Sequence, residues 1–435
     1  MTRISTEVSA EPDIRDLPDF QSRPSTFRIP RKAAWLSLAI ASASVAYALQ
    51  VFTPLRLNTD AIYYLSFADA AARANGLVTI YRQHFLLPKG YSLFLFCLMK
   101  AGFFSAFALV LSNLAFFSSG LLLNFETLLR LGFDRKYSTL LCAMTFLSFV
   151  SVKNITLPIS DFLFFALSAA AWWLMNARGP TRWMALLPAL CAVEVRLAGL
   201  ALFVPLAFLA WSALFKRPKI LVPFFVSLVL ALTVGIWSGS RYFHDYLRYV
   251  GDAGILHLAR EAILFHCRDF SELVFNLPLA KLPAWAHPVF LSVGSVALFF
   301  FILGTFLLAR RSRITFFYLL GYSILILPWP FTDPRFWLPA MPFVFLALHE
   351  GIRWQRWKAL SRLLPAYIVL FIFLGFVALA YSTRLTFSGP QFPYLYGDGH
   401  LRATYLTGCS GDTTDVNQDA LALLRRYEWH CSAGR

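Results

Sequence analysis

Long apolar runs with almost no charge in them, separated by short basic breaks, constrain this chain more than anything else. The runs cover residues 33–53, 105–125, 138–152, 162–177, 183–195, 197–215, 220–239, 288–309, 314–330, 336–349 and 363–382. Burying a charged side chain in lipid is costly, so spanning segments exclude charges, and about 20 apolar residues suffice to cross. Only 14% of the chain is charged, against about 25% in a soluble domain, and the mean hydropathy is +0.61. The fold class predicted is an all-α integral membrane protein of about eleven transmembrane helices. A cleavable signal is not expected: 32 polar residues with five acidic groups precede the first run, which is too long for a signal core.

The breaks set the expected orientation. RLGFDRK, ARGPTR, KRPK, RRSR and RWQRWKALSR alternate to one side and together hold 15 Lys/Arg. Basic loops stay cytoplasmic. The expectation is a multi-pass cell membrane protein (inner or plasma membrane) with a cytoplasmic amino terminus and an extracytoplasmic carboxyl terminus. The net charge of +16 is then a matter of topology and anionic lipid, and calls for no nucleic-acid partner. Residues 1–32 read as a disordered cytoplasmic tail, 33–382 as the transmembrane domain and 383–435 as a small extracytoplasmic tail. The outer side carries two larger loops, 54–104 and 240–287.

The rest of the chain is organised around the first of these loops. It is too polar to cross a bilayer and too apolar for a linker. Asp60 opens a helical pattern with Tyr64, Phe67, Ala68 and Ala71 on one stripe. HFLLPKGY and a second apolar segment, interrupted by Lys100, follow. Two interfacial helices lying on the membrane surface are expected.

Three stretches resemble the GT-C membrane glycosyltransferases, in the bacterial branch that includes the protein O-mannosyltransferases and the lipid A aminoarabinose transferases. TDAIYYLSFADAAARANG resembles the acidic first-loop motif, although Ala61 stands where a second acid is common. LPKGYSLFLFCLMKAGFF resembles the Pro-Pro-Gly-Tyr segment, with Lys89 in place of the second proline. RLAGLALFVPLAFL and DPRFWLPAMPFVFLAL resemble the family's two arginine-bearing segments.

That resemblance implies an enzyme, a hexosyl or pentosyl transferase. It would pass a sugar from a polyprenyl-phosphate donor to a glycan, lipid or protein acceptor on the outer face. A carboxylate must take the acceptor hydroxyl proton, and cations must hold the leaving phosphate. Asp60 is the candidate base and Asp161 the second acid; each also suits a helix cap. Arg196 and Arg335 are the phosphate candidates, with Glu194 and Asp333 as their plain pairing partners. Lys89, His84 and Tyr64 are further donor-binding candidates, and Tyr63, Tyr64 and Tyr91 also fit an aromatic belt.

No Cys/His spacing assigns a metal site, and the need for a divalent metal stays open. No cofactor beyond the lipid-linked sugar is called for. Cys409 and Cys431 lie in the outer tail and are a candidate disulfide. The sequon at Asn154 abuts a span and is read as chance. The competing functions are a polysaccharide polymerase or ligase, favoured by Arg241, His244, Arg248, His257 and His266 in the late loop, and a lipid-linked transporter or flippase.

Overall fold

The computed structural model describes residues 34–74, 76–77, 79–80, 88–214, 254–329, 333–354, 358–395, 404–405 and 418–427, with Val229 and Thr233. Among these residues all regular structure is helical. The principal helices are α1 (Ala34–Leu49), α2 (Thr59–Arg73), α3 (Gly90–Lys100), α4 (Ala106–Arg130), α5 (Arg135–Phe146), α6 (Phe149–Asn154), α7 (Asp161–Met175), α8 (Leu186–Val195) and α9 (Phe203–Leu214). The second half holds α10 (Ile255–Phe275), α11 (His287–Leu308), α12 (Arg313–Ile326), α13 (Met341–Trp354), α14 (Lys358–Thr386) and α15 (Gln418–Tyr427). Each expected run within the described residues is helical; run 220–239 lies almost wholly outside them.

Three stretches, Ala106–Arg130, Ala284–Leu308 and Leu363–Thr386, are long and apolar enough to cross a membrane. At most 39% of the most apolar window of each is buried. Leu122, Val296, Phe299 and Phe373 turn outward on them. An exposed apolar belt of this size marks a surface that water does not cover, and the chain is membrane-associated. Other helices are shorter. The 15 residues of α7 reach only about 22 Å at 1.5 Å per residue.

The run at 138–152 is not one helix, as expected, but two. α5 ends at Phe146 and α6 starts at Phe149. Asn276 satisfies the break: its Oδ1 accepts from Phe149 N at 2.6 Å, and its Nδ2 donates to Leu147 O at 3.0 Å and Phe371 O at 2.9 Å. Irregular backbone inside a bundle needs such internal partners. Asn276 manages this from a left-handed conformation, φ 53°, which asparagine tolerates better than most residues.

The expected polar loop 240–287 contains the 21-residue helix α10. It packs antiparallel to α11, with Phe275 stacked on Phe290 at a 3.9 Å centroid separation. α11 and α13 approach at Gly304 and Gly351, where a Cβ on either would strike the partner helix's backbone. Small residues at a crossing let two backbones meet.

Two apolar clusters result. The larger joins α1 and α4–α14 around Trp172, Trp337, Phe162 and Phe301. The smaller joins α2 and α3 to α15 through Tyr64, Leu65, Tyr91, Leu95, Leu423 and Leu424. Leu163, two residues after Asp161, packs against both.

Candidate functional site

Asp60 lies in the first turn of α2, but it does not cap that helix. Asn58 is the cap, its Oδ1 accepting from Ala61 N at 2.8 Å. The Asp60 carboxylate is therefore free to point away, and it receives Arg335 Nη2 at 2.5 Å. The predicted stripe of Tyr64, Phe67, Ala68 and Ala71 is buried, and this fixes the face Asp60 can present.

Arg335 sits in a 3-10 turn, Pro334–Ala340, that leads into α13. Asp333 caps this turn through its Oδ1 and holds Arg335 Nε with its Oδ2 at 2.8 Å. The pairing with Asp333 expected as the plain alternative is present, and the bond to Asp60 is added to it. Burial works against the charge on Arg335; Asp333, Asp161 and Asp60 outweigh it and hold the guanidinium's pKa well above its ordinary value. Its Nη1 is buried and has no hydrogen-bond partner among the described residues.

Arg196 ends α8 in extended conformation. Its partner is not Glu194, as the sequence allowed, but Asp161, the first residue of α7. An i−2 neighbour on a helix faces another way, while the amino end of α7 is where a carboxylate is favoured. The Asp161 side chain is 2% exposed. Both guanidiniums lie over the Phe336 ring, Arg196 at 5.3 Å and Arg335 at 5.5 Å from its centroid. Tyr322 donates to Phe336 O and holds that ring's backbone.

Tyr64 is not a belt residue. It is buried, donates to Ser160 Oγ at 3.1 Å and meets the buried Tyr91 edge-on at 5.1 Å. Lys89 precedes α3, with its Nζ 4.6 Å from the centroid of the Phe67 ring. Burial lowers its ammonium to about 8. Gly90 lies on the backbone of Glu194–Val195, immediately before Arg196, where an added Cβ would come within 2.8 Å of Glu194 C and O. Backbone atoms cannot yield as a flexible side chain would. Gly90→Ala is expected to cost about 1–3 kcal/mol and to displace Arg196. Thermal unfolding of the purified variant, read beside donor binding, checks both.

The structure thus brings together Asp60, Asp161, Arg196, Arg335 and Tyr64, while Lys89 lies beside Phe67, seven residues further along α2 than Asp60. His84, Cys409, Cys431, Arg241, His244 and Arg248, together with the side chain of His257, lie outside the described residues. His266 is fully buried, 3.2 Å from Asp269 Oδ2 and edge-on to Trp337, so it lines no open loop. Asn154 is buried and bonded to Val150 O at 2.8 Å, which closes the sequon to modification. Sequence reasoning missed Phe336, whose role appears only once two arginines meet on it. It also missed the buried Arg56, which donates to Thr156 Oγ1 at 2.6 Å beside α7. A charged residue between apolar neighbours was the available signal for Arg56.

Among the described residues no three His, Cys, Asp or Glu side chains gather to hold a metal ion. No protein-family model, curated protein or solved structure matches this chain. The family resemblance rests on its short motifs alone.

Proposed function

We propose that the protein is a glycosyltransferase that moves a sugar from a polyprenyl-phosphate donor to a hydroxyl acceptor at a membrane surface. One observation carries the reading. Two carboxylates and two arginines from four distant segments meet around one aromatic ring, and a buried guanidinium nitrogen has no hydrogen-bond partner among the described residues. A planar guanidinium with a spare donor suits a phosphate.

In this reading the donor phosphate competes with Asp60 for Arg335 and leaves the carboxylate free. The acceptor oxygen then attacks the anomeric carbon, and its proton passes to Asp60. The bond from that carbon to the phosphate oxygen breaks, and the electron pair leaves with the polyprenyl phosphate. Arg335, with Arg196 and Lys89, offsets the charge that develops there. Asp161 holds Arg196 and offers its second oxygen to the sugar. The same proposal puts the site on the outer face of a cell membrane, with eleven crossings, a cytoplasmic amino terminus and an extracytoplasmic carboxyl tail.

The test is transfer of labelled sugar by the purified protein from a panel of polyprenyl-phosphate sugars. Mass spectrometry of envelope glycans in a deletion strain would identify sugar and acceptor. No transfer from any donor, with glycans unchanged, overturns the proposal.

Lys89 adds a pH test. Its ammonium is charged below about 8, so donor KM should rise as pH climbs through that value. Stability should move the other way. From about 8 up to the ordinary lysine value the unfolded chain holds the proton and the folded chain does not, and raising pH then stabilises the fold. Lys89→Arg should flatten the KM profile. A profile unchanged by that substitution removes Lys89 from the donor site.

A further inference from the structure

Tyr405 and α15 contact the first loop at two places, one on either side of Asp60. Upstream, the Tyr405 hydroxyl donates to Leu55 O at 2.6 Å and accepts from Leu57 N at 3.1 Å. This saturates the extended backbone just before the Asn58 cap. Downstream, Asp69 lies on the buried side of α2 and is 5% exposed. Arg426 Nη1 donates to both of its oxygens, Tyr427 donates to its Oδ1 at 2.7 Å, and Arg73 reaches its Oδ2 at 2.9 Å. The Tyr427 ring meets Phe104 edge-on at 4.6 Å.

Between these anchors α15 supplies the apolar cover. Ala420, Leu421, Leu423 and Leu424 are buried, and all but Leu421 join the cluster that holds Ala61, Tyr64 and Leu65 of α2. A carboxylate as buried as Asp69 is tolerated only with partners, and most of its partners come from α15. α2 is therefore held by α15 as well as by α3. Its amphipathic face is completed by residues more than three hundred positions later in the chain.

We infer that Tyr405 and α15 act as a positioning strap, with Tyr405 and Arg426 setting the height and rotation of α2 so that Asp60 meets Arg335. The role assigned to Asp60 rests on the glycosyltransferase proposal; the strap itself does not. Asp60 is only 33% exposed and bonds Arg335 at 2.5 Å. Within such a bond a shift of about 1 Å in α2 would already part the two groups. Tyr405, Arg426 and Tyr427 are positioning residues and touch none of the reacting atoms.

The test uses the full-length protein in detergent. Tyr405→Phe keeps the ring and removes both hydrogen bonds, and Arg426→Gln stays polar but removes the charge and the reach to Asp69. Hydrogen exchange over residues 55–73 should accelerate at least about 10-fold in each, while exchange over Ala106–Arg130 stays at the wild-type rate. Sugar transfer should lose kcat by a similar factor at unchanged donor KM, because Arg196, Arg335 and Lys89 still hold the phosphate. Adding Asp69→Arg to Arg426→Asp should recover part of both losses, which a general packing defect would not allow. Unchanged exchange over residues 55–73 in both single variants overturns the strap. Faster exchange with unaltered kcat overturns its positioning role. If the wild-type protein transfers no sugar, the glycosyltransferase proposal fails, and the exchange result still decides whether the strap exists.

Discussion

Asp60→Asn is expected to lower sugar transfer by about 10²-fold or more, the usual scale for losing a general base, with almost no loss of stability. The local structure predicts this split. The amide occupies the same volume, and the α2 cap belongs to Asn58, so the helix start is untouched. What disappears is one arm of an ion pair whose acidic side chain is 33% exposed. A partly solvated pair of that kind contributes about 1 kcal/mol or less. Arg335 keeps Asp333 at 2.8 Å and so is not left as a lone buried charge. The substitution therefore deletes a proton acceptor and little else. Donor KM should fall or stay level, since Arg335 is released from a competitor for the phosphate. Transfer of labelled sugar by variants matched for thermal stability is the measurement. Wild-type turnover in Asp60→Asn would take the base away from Asp60 and would unseat the proposed site.

The parts of the site that could be read from the sequence are those written in local patterns. The stripe of Tyr64, Phe67, Ala68 and Ala71 has helical spacing, and α2 buries that face. Asp161, Arg196 and Arg335 stood out because each is a charge at the edge of a long apolar run, where an unpaired charge is costly, and Asp60 because it opens the helical pattern of the first loop. Their pairing could not be read. A sequence shows Glu194 two residues from Arg196 but does not show that α7 brings Asp161 closer, because that choice is made by helix packing. Tyr64 and Tyr91 have the composition of an interfacial belt. Only the docking of α2 on α3 shows that they are buried against each other. The break between α5 and α6 was hidden for the same reason. The segment is apolar throughout, and the group that satisfies its backbone, Asn276, lies 127 residues from Phe149. The strap was the least legible feature. Asp69 looks like a solvated residue until α15 is in place, and nothing near it in sequence announces Arg426.

The two arginines should fail in different ways, and this separates donor chemistry from scaffold. Arg335→Ala is expected to cut kcat by about 10²–10³-fold, the loss seen when one preorganised donor to a developing oxyanion is removed. The carboxylates left behind, Asp60 and Asp333, are about a third exposed, and water can solvate them, so stability should change little. Arg335→Lys keeps the charge but not the planar fork and should fall between. Arg196→Ala is a different case. It strands Asp161, whose side chain is 2% exposed. Breaking a buried pair from one side costs about 3–5 kcal/mol, so this variant should unfold at markedly lower temperature before its activity can be interpreted. Removing both charges at once leaves no stranded ion, and Arg196→Met with Asp161→Leu should regain most of that stability. Donor turnover in the double variant then reports what Arg196 does for the phosphate apart from holding α8 to α7. The arrangement requires Arg335→Ala to be stable and slow, and Arg196→Ala to be unstable. If Arg335→Ala instead melts early while turning over the donor at the wild-type rate, the Asp60–Arg335 pair is a structural tie, and the phosphate must be bound elsewhere.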